Sequence, residues 1–373
     1  MPLLSIVGKE VTFPMRPSLT PFQFVTLFTT CFMAVPISLV PNTLMKTSEQ
    51  DSWVGLFGGY VLCYFLFMLM YLVYRIAEQK RDRLPHALNR TFLFLFLLFV
   101  LANAAFTTRN FTEVTHTYFL PKTPPVFVSF LTLTVAAYGA WYGINSIARL
   151  SLISFVLSVI ALVAMPLMVF EVADPAFLFP LLSHSWLNLG YSIWQALGAF
   201  LESFYLLSLL PLVSIQPQKR VFLITFTCLL SMLLYTIMFA LDFFVFGPYL
   251  ASKFVFPSVE LVRYLSLGEA LERLDIVLIS LWSIIMTVKV AALIWIGTLD
   301  AAIIFRLSDI RSTILPTTML LLFFSELFAG STISFLYLYQ HYWTFLAVIG
   351  YFSFLAFYIT SLRMKKDGKL SST

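Results

Sequence analysis

The chain alternates long apolar runs with short polar stretches along most of its length. Each run approaches the roughly 20 apolar residues that an α-helix needs to cross a bilayer. The pattern therefore predicts an all-helical protein built from spanning helices. We predict ten of them, at residues 22–41, 53–75, 88–106, 125–144, 150–170, 186–213, 221–245, 276–299, 313–329 and 342–362.

The composition supports a multi-pass membrane protein. Of the 373 residues, 60% are hydrophobic and 11% are charged, and the mean hydropathy of +0.92 excludes a soluble domain. The basic residues lie in short loops between apolar runs, so we expect the lipid bilayer and no nucleic acid as a partner. Cys31, Cys63 and Cys228 lie within apolar runs, which argues against a disulfide framework and a zinc site. No small-residue cleavage site follows the first run, so we interpret it as a retained helix.

Basic residues are concentrated on one side of the predicted topology. One set of alternate loops, together with both tails, carries Lys9, Arg16, Arg75, Lys80, Arg81, Arg83, Arg90, Arg149, Lys219, Arg220, Arg306, Arg311, Arg363, Lys365, Lys366 and Lys369. The opposite loops carry Lys46, Arg109, Lys122, Lys253, Arg263 and Arg273. The positive-inside rule then places both termini in the cytoplasm.

The ten predicted spans divide into two halves of five within a single domain. The halves cover about residues 20–170 and 186–362, with short tails at 1–20 and 363–373. An odd number of spans per half inserts the second half upside down, and transporters built this way interrupt corresponding helices of the two halves. The first span contains Pro36, which removes a backbone hydrogen bond. The sixth contains Gly198 in the corresponding position, so we predict interruptions in both spans.

The most informative stretch lies within the sixth span, at residues 194–205. At about 100° per residue, Trp194, Gly198, Glu202 and Tyr205 share one helix face. In one interpretation, the glycine permits close helix packing and Glu202 pairs with a neighbouring group. In the other, the helix breaks at Gly198 and freed backbone groups bind a small polar ligand. The matching interruption of the first span favours the second interpretation.

Lys289 is a charged residue deep in the eighth span. It either extends to the inner interface, occupies the position of a metal cation, or pairs with Glu202. Ser280, Ser283 and Thr287 form a polar stripe on the same span, with Lys289 roughly opposite. Serine and threonine also bond back to their own helix, so this stripe is weaker evidence for a site than the lysine.

The predicted ligand site combines the interrupted spans with polar positions of the third and eighth. It consists of Ala34, Val35, Pro36, Asn103, Trp194, Leu197, Gly198, Ala199, Phe200, Glu202, Ser283 and Thr287, with Lys289 and Glu202 as a cation-site mimic or ion pair. Asn103 and Glu326 are also interpreted as structural polar residues. No glycine-rich phosphate loop and no paired metal-ligand spacing accompanies the set. We therefore expect no enzyme, no cofactor and no metal.

The connection at 246–275, between the seventh and eighth spans, is unusually long. Its segments 258–264 and 267–273 have amphipathic patterns that predict two short helices. The connection either caps an external vestibule or is a solvated linker.

Several motifs, in order along the chain, resemble one family. They are Gln50-Asp-Ser-Trp53, Pro121-Lys-Thr-Pro124, Phe246-Gly-Pro248, Phe256-Pro-Ser-Val-Glu-Leu-Val-Arg263 and Leu267-Gly-Glu-Ala-Leu-Glu-Arg-Leu-Asp275, followed by Trp282 and Lys289. From about Thr20 to about Arg306, the chain resembles the spore-germination permeases, the B subunits of Ger-type germinant receptors. This family is a branch of the amino acid–polyamine–organocation superfamily.

The resemblance implies the LeuT-like inverted-repeat fold and the inner membrane of the endospore. It also implies an A-type membrane subunit and a C-type lipoprotein as partners, and a small germinant, typically an amino acid, as ligand. The family usually has glycine in the first interrupted helix, where this chain has Cys31-Phe-Met-Ala-Val-Pro36. This departure puts ligand contact at that helix in question.

Three hypotheses for function follow. The first is a germinant-sensing subunit that binds a small zwitterion between spans one, three, six and eight, and signals the start of germination by a conformational shift. The second is a proton-coupled amino acid transporter of the same superfamily, since a fold does not separate sensor from carrier. The third is an assembly platform that binds no ligand.

Overall fold

The computed structural model describes residues 18–79, 87–265, 274–328 and 331–367. This part of the chain is helical and contains no strand; its one isolated bridge pairs Leu19 with Val213. The α-helices are α1 Pro21–Ala34, α2 Pro36–Ser48, α3 Ser52–Gln79, α4 Ala87–Tyr118, α5 Pro125–Trp141, α6 Ile144–Val169, α7 Trp186–Leu201, α8 Arg220–Lys253, α9 Pro257–Leu265, α10 Leu274–Phe305, α11 Arg311–Leu327 and α12 Thr332–Asp367. Short 3₁₀ segments cover Glu49–Asp51, Pro175–Leu178 and Pro217–Lys219, and a longer one covers Glu202–Leu212.

Seven helical stretches of the described residues are long and apolar enough to cross a membrane, which makes this a multi-pass membrane protein. They are Pro36–Glu78, Arg90–Tyr118, Ile144–Val169, Trp186–Leu212, Pro217–Lys253, Ile276–Phe305 and Thr332–Thr360, with α1 and α5 as shorter apolar helices. The predicted helical class is confirmed. The count of ten spans and the orientation of the termini stay predictions.

The first helix begins at a local sequence signal. The hydroxyl of Thr20 accepts a hydrogen bond from the Gln23 amide at 3.2 Å, and the Gln23 side chain accepts one from the Thr20 amide at 3.0 Å. Pro21 occupies the first turn, where its missing N–H has no helical partner to lose. This capping box sets the start of α1.

Helix α4 runs twelve residues beyond its predicted end at residue 106. The prediction stopped where polar residues begin, but these side chains are buried and find partners; the Thr108 hydroxyl, for example, donates to the Ala104 carbonyl at 2.8 Å. Arg109 is consequently a buried helical residue, 5% exposed, so its assignment to an outer loop was wrong.

The long connection after the seventh predicted span is largely helical. Helix α8 continues to Lys253 through a kink at Gly247, whose φ of +67° favours glycine, and Pro248 follows. The first predicted amphipathic helix is confirmed as α9. The second, at 267–273, lies outside the described residues.

Helix α7 is continuous through Gly198, so the break predicted there was wrong. The α-helix ends at Leu201 and becomes 3₁₀ from Glu202 onward. A Cβ at Gly198 would lie 2.6 Å from Thr344 Cα of α12, which shows that Gly198 serves close helix packing. On α3, Gly55, Gly58 and Gly59 do the same, since a Cβ at each would fall within 3.0 Å of an α7 side chain.

Gly198→Ala is expected to destabilise the protein by roughly 1–3 kcal/mol, because the new methyl group would collide with the backbone of α12. The measurement is the thermal unfolding midpoint of purified protein together with its abundance in membranes. Gly190→Ala is the matched control, since Gly190 also lies in α7 and a methyl group there would have no neighbour within 4 Å. This control should gain about 1 kcal/mol of helix propensity. Equal stability of the two variants would contradict the packing role.

Candidate binding site beside an interrupted helix

The break between α1 and α2 begins at Pro36, which has no N–H to donate to the preceding turn. The Ser38 amide bonds to the Val35 carbonyl at 3.1 Å, so it does not serve the carbonyl of Ala34. The indole N–H of Trp282 on α10 takes that place and donates to Ala34 at 2.9 Å. A buried carbonyl left open by the break is thus satisfied by another helix.

Two further carbonyls of α2 receive donors from neighbouring helices. Pro41 has no N–H for the carbonyl of Ile37, four residues earlier, and the Ser258 hydroxyl of α9 donates to Ile37 instead at 2.7 Å. The Tyr235 hydroxyl of α8 donates to the Pro36 carbonyl at 3.0 Å. The interrupted helix is therefore held through its backbone by α8, α9 and α10.

Glu202 and Lys289 form an ion pair in the protein interior, and both side chains are 0% exposed. The Trp343 indole donates to the other carboxylate oxygen of Glu202 at 2.8 Å. Asn103 donates to the Glu202 carbonyl at 3.4 Å and accepts a hydrogen bond from Thr107. The structure thus contains the predicted pair, and the alternative in which Lys289 extends to the interface was wrong.

This cluster lies where α7 changes to 3₁₀ geometry. Glu202 is the first residue of the 3₁₀ segment, and its partners come from α4, α10 and α12. A buried charge is tolerated when it is paired and hydrogen-bonded. The ammonium of Lys289 supplies the positive charge that this carboxylate needs.

Aromatic rings fill the space between α1 and α7. Phe200 stacks on Phe32 with ring centroids 5.1 Å apart, and Tyr60 and Tyr235 also contact it. Ala199 is buried in the same core and Leu197 lies against Gly59. The predicted residues of α7 therefore pack the core and line no described cavity.

The remaining predicted residues lie elsewhere. Trp194 is half-buried and packs edge-on against Phe345 at 5.1 Å. Ser283 and Thr287 each donate to the carbonyl four residues earlier, at 2.7 and 2.8 Å, and stay partly exposed. The structure does not bring these three side chains to the interrupted helix.

A cavity of about 90 Å³ lies directly beside the break. Its lining is almost entirely apolar and comes from α1, α2, α6, α8, α9, α10 and the residue after α4. The lining residues are Met33, Ile37, Ser38, Phe119, Ser158, Ala161, Leu162, Met165, Met238, Ser258, Val259, Val262, Leu278, Ile279, Leu281, Trp282 and Ile285. Its three serine hydroxyls donate to the carbonyls of Val35, Ser154 and Ile37.

Sequence reasoning missed this cavity, since apolar residues scattered over many helices give no local signal. The amphipathic pattern of 258–264 was the one available indication. No charged side chain lines the cavity, which offers hydroxyl oxygens, backbone of the first turn of α2, and room for a small apolar group. Such a mostly apolar pocket with few polar groups is typical of small-molecule sites.

A second ion network, in which Arg109 and Glu113 are buried and Glu326 is partly exposed, was also missed. Arg109 pairs with Glu113 within α4 and lies 3.6 Å from Glu326 of α11. Ser129 donates to Glu326 at 3.1 Å, and Thr332 to Glu113 at 2.6 Å. These bonds join α4, α5, α11 and α12, which supports the structural interpretation of Glu326. Among the described residues, no group of His, Cys, Asp or Glu side chains is arranged to hold a metal ion.

Known structures define the class of protein to which this architecture belongs. The transporter Mhp1 of the nucleobase-cation-symport-1 family, closed with bromovinylhydantoin bound, matches with a TM-score of 0.64 and 12% identity, over 94% of this chain and 93% of its own. A Na⁺-coupled sialic acid symporter, substrate-bound and outward-open, matches with a TM-score of 0.61 and 11% identity, over 96% and 94%. The fold is that of membrane symporters, and these neighbours are transporters and not enzymes.

The family is more specific than the fold. Residues 18–333 match the family described as spore germination protein, Spore_permease. The chain belongs to this family, as its motifs predicted. The putative spore germination protein YfkT of Bacillus subtilis (strain 168) is 24% identical over 297 residues, which cover 77% of this chain and 78% of the relative. The protein is therefore a germination-related membrane permease.

Breaking the Glu202–Lys289 pair should be costly. Glu202→Gln leaves Lys289 as an unpaired buried charge, and Lys289→Met does the same for Glu202, so we expect each to lose about 3–5 kcal/mol. The double variant removes both charges and should be more stable than either single one. Thermal unfolding of the purified proteins, analysed as a double-mutant cycle, measures the coupling.

The pair Glu260–Arg263 is the control for this cycle. Its atoms are 3.3 Å apart and the arginine side chain is 50% exposed, so its coupling should be below about 1 kcal/mol. Strictly additive losses at Glu202 and Lys289 would contradict the proposed interaction.

Proposed function

We propose that this protein is the B subunit of a spore germinant receptor. It binds a small germinant, such as an amino acid, in the cavity beside the α1–α2 break and signals the start of germination. The observation that carries the proposal is the interrupted helix itself, with carbonyls held by three other helices and a small-molecule cavity along its side. Membership of the spore germination family supplies the physiological context.

The finer topology belongs to the same proposal. Ten spans form two inverted repeats of five, with α1–α2 as the first interrupted span and α7 with its 3₁₀ continuation as the sixth. Both termini face the cytoplasm, and the membrane is the inner membrane of the endospore. The fold shared with Mhp1 and the sialic acid symporter supports this arrangement.

The chemistry of the cavity suggests how a zwitterion binds. The first turn of α2 carries the partial positive charge of a helix N-terminus, which suits a carboxylate. Serine and backbone oxygens accept hydrogen bonds from an ammonium, and the apolar wall contacts the side chain. We expect the ligand to contact the residues that line this cavity and not the predicted residues of α7.

The signal is a shift between conformations. A ligand that contacts α2, α9 and α10 together favours the arrangement in which these helices bind it best. An A-type membrane subunit and a C-type lipoprotein would respond to that shift. No metal cation is required, because Lys289 already neutralises Glu202.

A proton-coupled amino acid transporter is the second candidate, and the symporter fold favours it. Proteoliposomes with radiolabelled amino acids separate the two functions. A sensor binds saturably without accumulating substrate, whereas a carrier accumulates substrate when a proton gradient is applied. Absence of binding, with every germinant response intact after deletion of the gene, would refute both.

Filling the cavity provides the direct test. Ala161→Phe places a ring among the lining residues and should abolish the germinant dose–response of spores, with normal receptor abundance on immunoblots. Ala164→Phe makes the same change one turn further along α6 at an exposed position and should leave the response intact. An unchanged response in Ala161→Phe spores would exclude this cavity as the ligand site.

A further inference from the structure

Asp242 is a buried acidic residue that neither the sequence analysis nor the proposed ligand site uses. It lies in α8 and is 0% exposed. One carboxyl oxygen lies 2.5 Å from the Ser258 hydroxyl, and the other has no hydrogen-bond partner among the described residues. No described arginine, lysine or histidine pairs with it. A bare carboxylate here would be both desolvated and unpaired.

The hydrogen count at Ser258 identifies the protonation state. The Ser258 oxygen lies within hydrogen-bond distance of two acceptors, the Ile37 carbonyl at 2.7 Å and Asp242 at 2.5 Å. A hydroxyl has only one hydrogen to donate. Both contacts can be hydrogen bonds only if Asp242 carries a proton, because the Ile37 carbonyl can only accept and therefore takes the serine hydrogen. The contact with Asp242 is then a hydrogen bond from a protonated carboxyl to the serine oxygen.

We propose that Asp242 is a proton-binding site that clamps α9 onto the interrupted helix, beside the cavity. The proton connects Asp242 of α8 to Ser258 of α9, and Ser258 connects to Ile37 of α2. When Asp242 releases this proton to water, its carboxylate competes for the single serine hydrogen. Ile37 then loses the donor that replaces the missing N–H of Pro41, and α9 loses this hydrogen bond to α2.

The charged groups near Asp242 have partners of their own, so Asp242 is the residue of this clamp that titrates. On α9, Glu260 and Arg263 pair with each other, and Arg263 lies over the Tyr118 ring at 5.4 Å. On α8 itself, Tyr235 is bonded to the Pro36 carbonyl. The facing part of α2 is the main chain at Ile37, which carries no charge.

Two acidic residues on other segments that pack against α8 also have hydrogen-bond partners of their own. Asp174 is exposed and its carboxylate accepts from the Ala176 amide, while Asp51 accepts from the amides of Leu182 and His184. On α3, the groups packed against α8 are the uncharged Trp53 ring and two tyrosine hydroxyls, of which Tyr60 donates to the Met232 carbonyl and Tyr64 is bonded to Thr225. A second tether between α2 and the segment before α9, from Asn42 to the Phe254 carbonyl, does not titrate.

The clamp has a direct consequence for the cavity. Ser258 and Val262 of α9 both line it, so movement of α9 changes access to it. Acidic conditions keep α9 attached, and loss of the proton releases it. With one proton per clamp, the ratio of released to attached α9 should rise about tenfold per pH unit, and the released fraction levels off once Asp242 is deprotonated.

The test uses the full-length protein in lipid nanodiscs, with Val262→Cys as a reporter and a maleimide as the probe. The three native cysteines are buried, so the reporter dominates labelling. Thiol reactivity itself depends on pH, so each rate is divided by that of the same reporter with Asp242→Asn. Asparagine keeps a hydrogen-bond donor toward Ser258 but cannot ionise, which makes it the matched control. The rate ratio should rise by up to about tenfold per pH unit at low pH and level off above the midpoint of the Asp242 titration.

Infrared difference spectroscopy tests the proton itself. The wild-type spectrum should contain a protonated-carboxyl C=O band that disappears at high pH, is absent in Asp242→Asn and persists in Glu260→Gln. Ser258→Ala should shift this band and raise labelling at every pH. If Asp242→Asn does not fold, Ser258→Ala replaces it as the test variant. A ratio that does not change with pH, or no carboxyl band assigned to Asp242, would overturn the proposal. Neither readout involves germination, so this test can fail while the proposed function stands.

Discussion

The structure depends on a single constraint, which is that a carbonyl inside a membrane protein must find a donor within the protein. Pro36 and Pro41 each deprive the helix around them of one N–H. The carbonyls of Ala34, Pro36 and Ile37 accept hydrogen bonds from Trp282, Tyr235 and Ser258, an indole and two hydroxyls that come from three different helices. The interrupted helix is therefore not an isolated irregularity. Helices α8, α9 and α10 all donate hydrogen bonds to it, and the cavity lies where these helices meet.

Charged side chains in the interior also find their partners within the protein. The buried ions Glu202 and Lys289 neutralise each other, and Arg109 lies among Glu113 and Glu326. The Glu202–Lys289 and Arg109–Glu326 pairs join distant parts of the chain, so each also fixes which helices are neighbours.

Sequence reasoning succeeded where the chemistry is local or unavoidable. Proline at position 36 had to disturb a helix, and two opposite charges at membrane depth, Glu202 and Lys289, had few alternatives to pairing. It failed where one residue type has two uses. Glycine at 198 serves a break and a close contact equally well, and only the position of Thr344 in the fold decides between them. Arg109 was misplaced because a hydropathy run ends at the first polar residues, whether or not the helix does.

The glycine contacts of α7 also bear on mechanics. Gly55, Gly58 and Gly59 bring α3 against one side of this helix, and Gly198 brings α12 against another, all at nearly backbone-to-backbone distance. Contacts this short leave no slack in which side chains can rearrange. We therefore expect a displacement of any one of the three helices to be passed to the other two, so that α3, α7 and α12 move together as one rigid unit. By the same reasoning we expect the flexible part of the molecule to be the proline-broken segment between α1 and α2 and helix α9 beside it, where side-chain hydrogen bonds take the place of close-packed backbone.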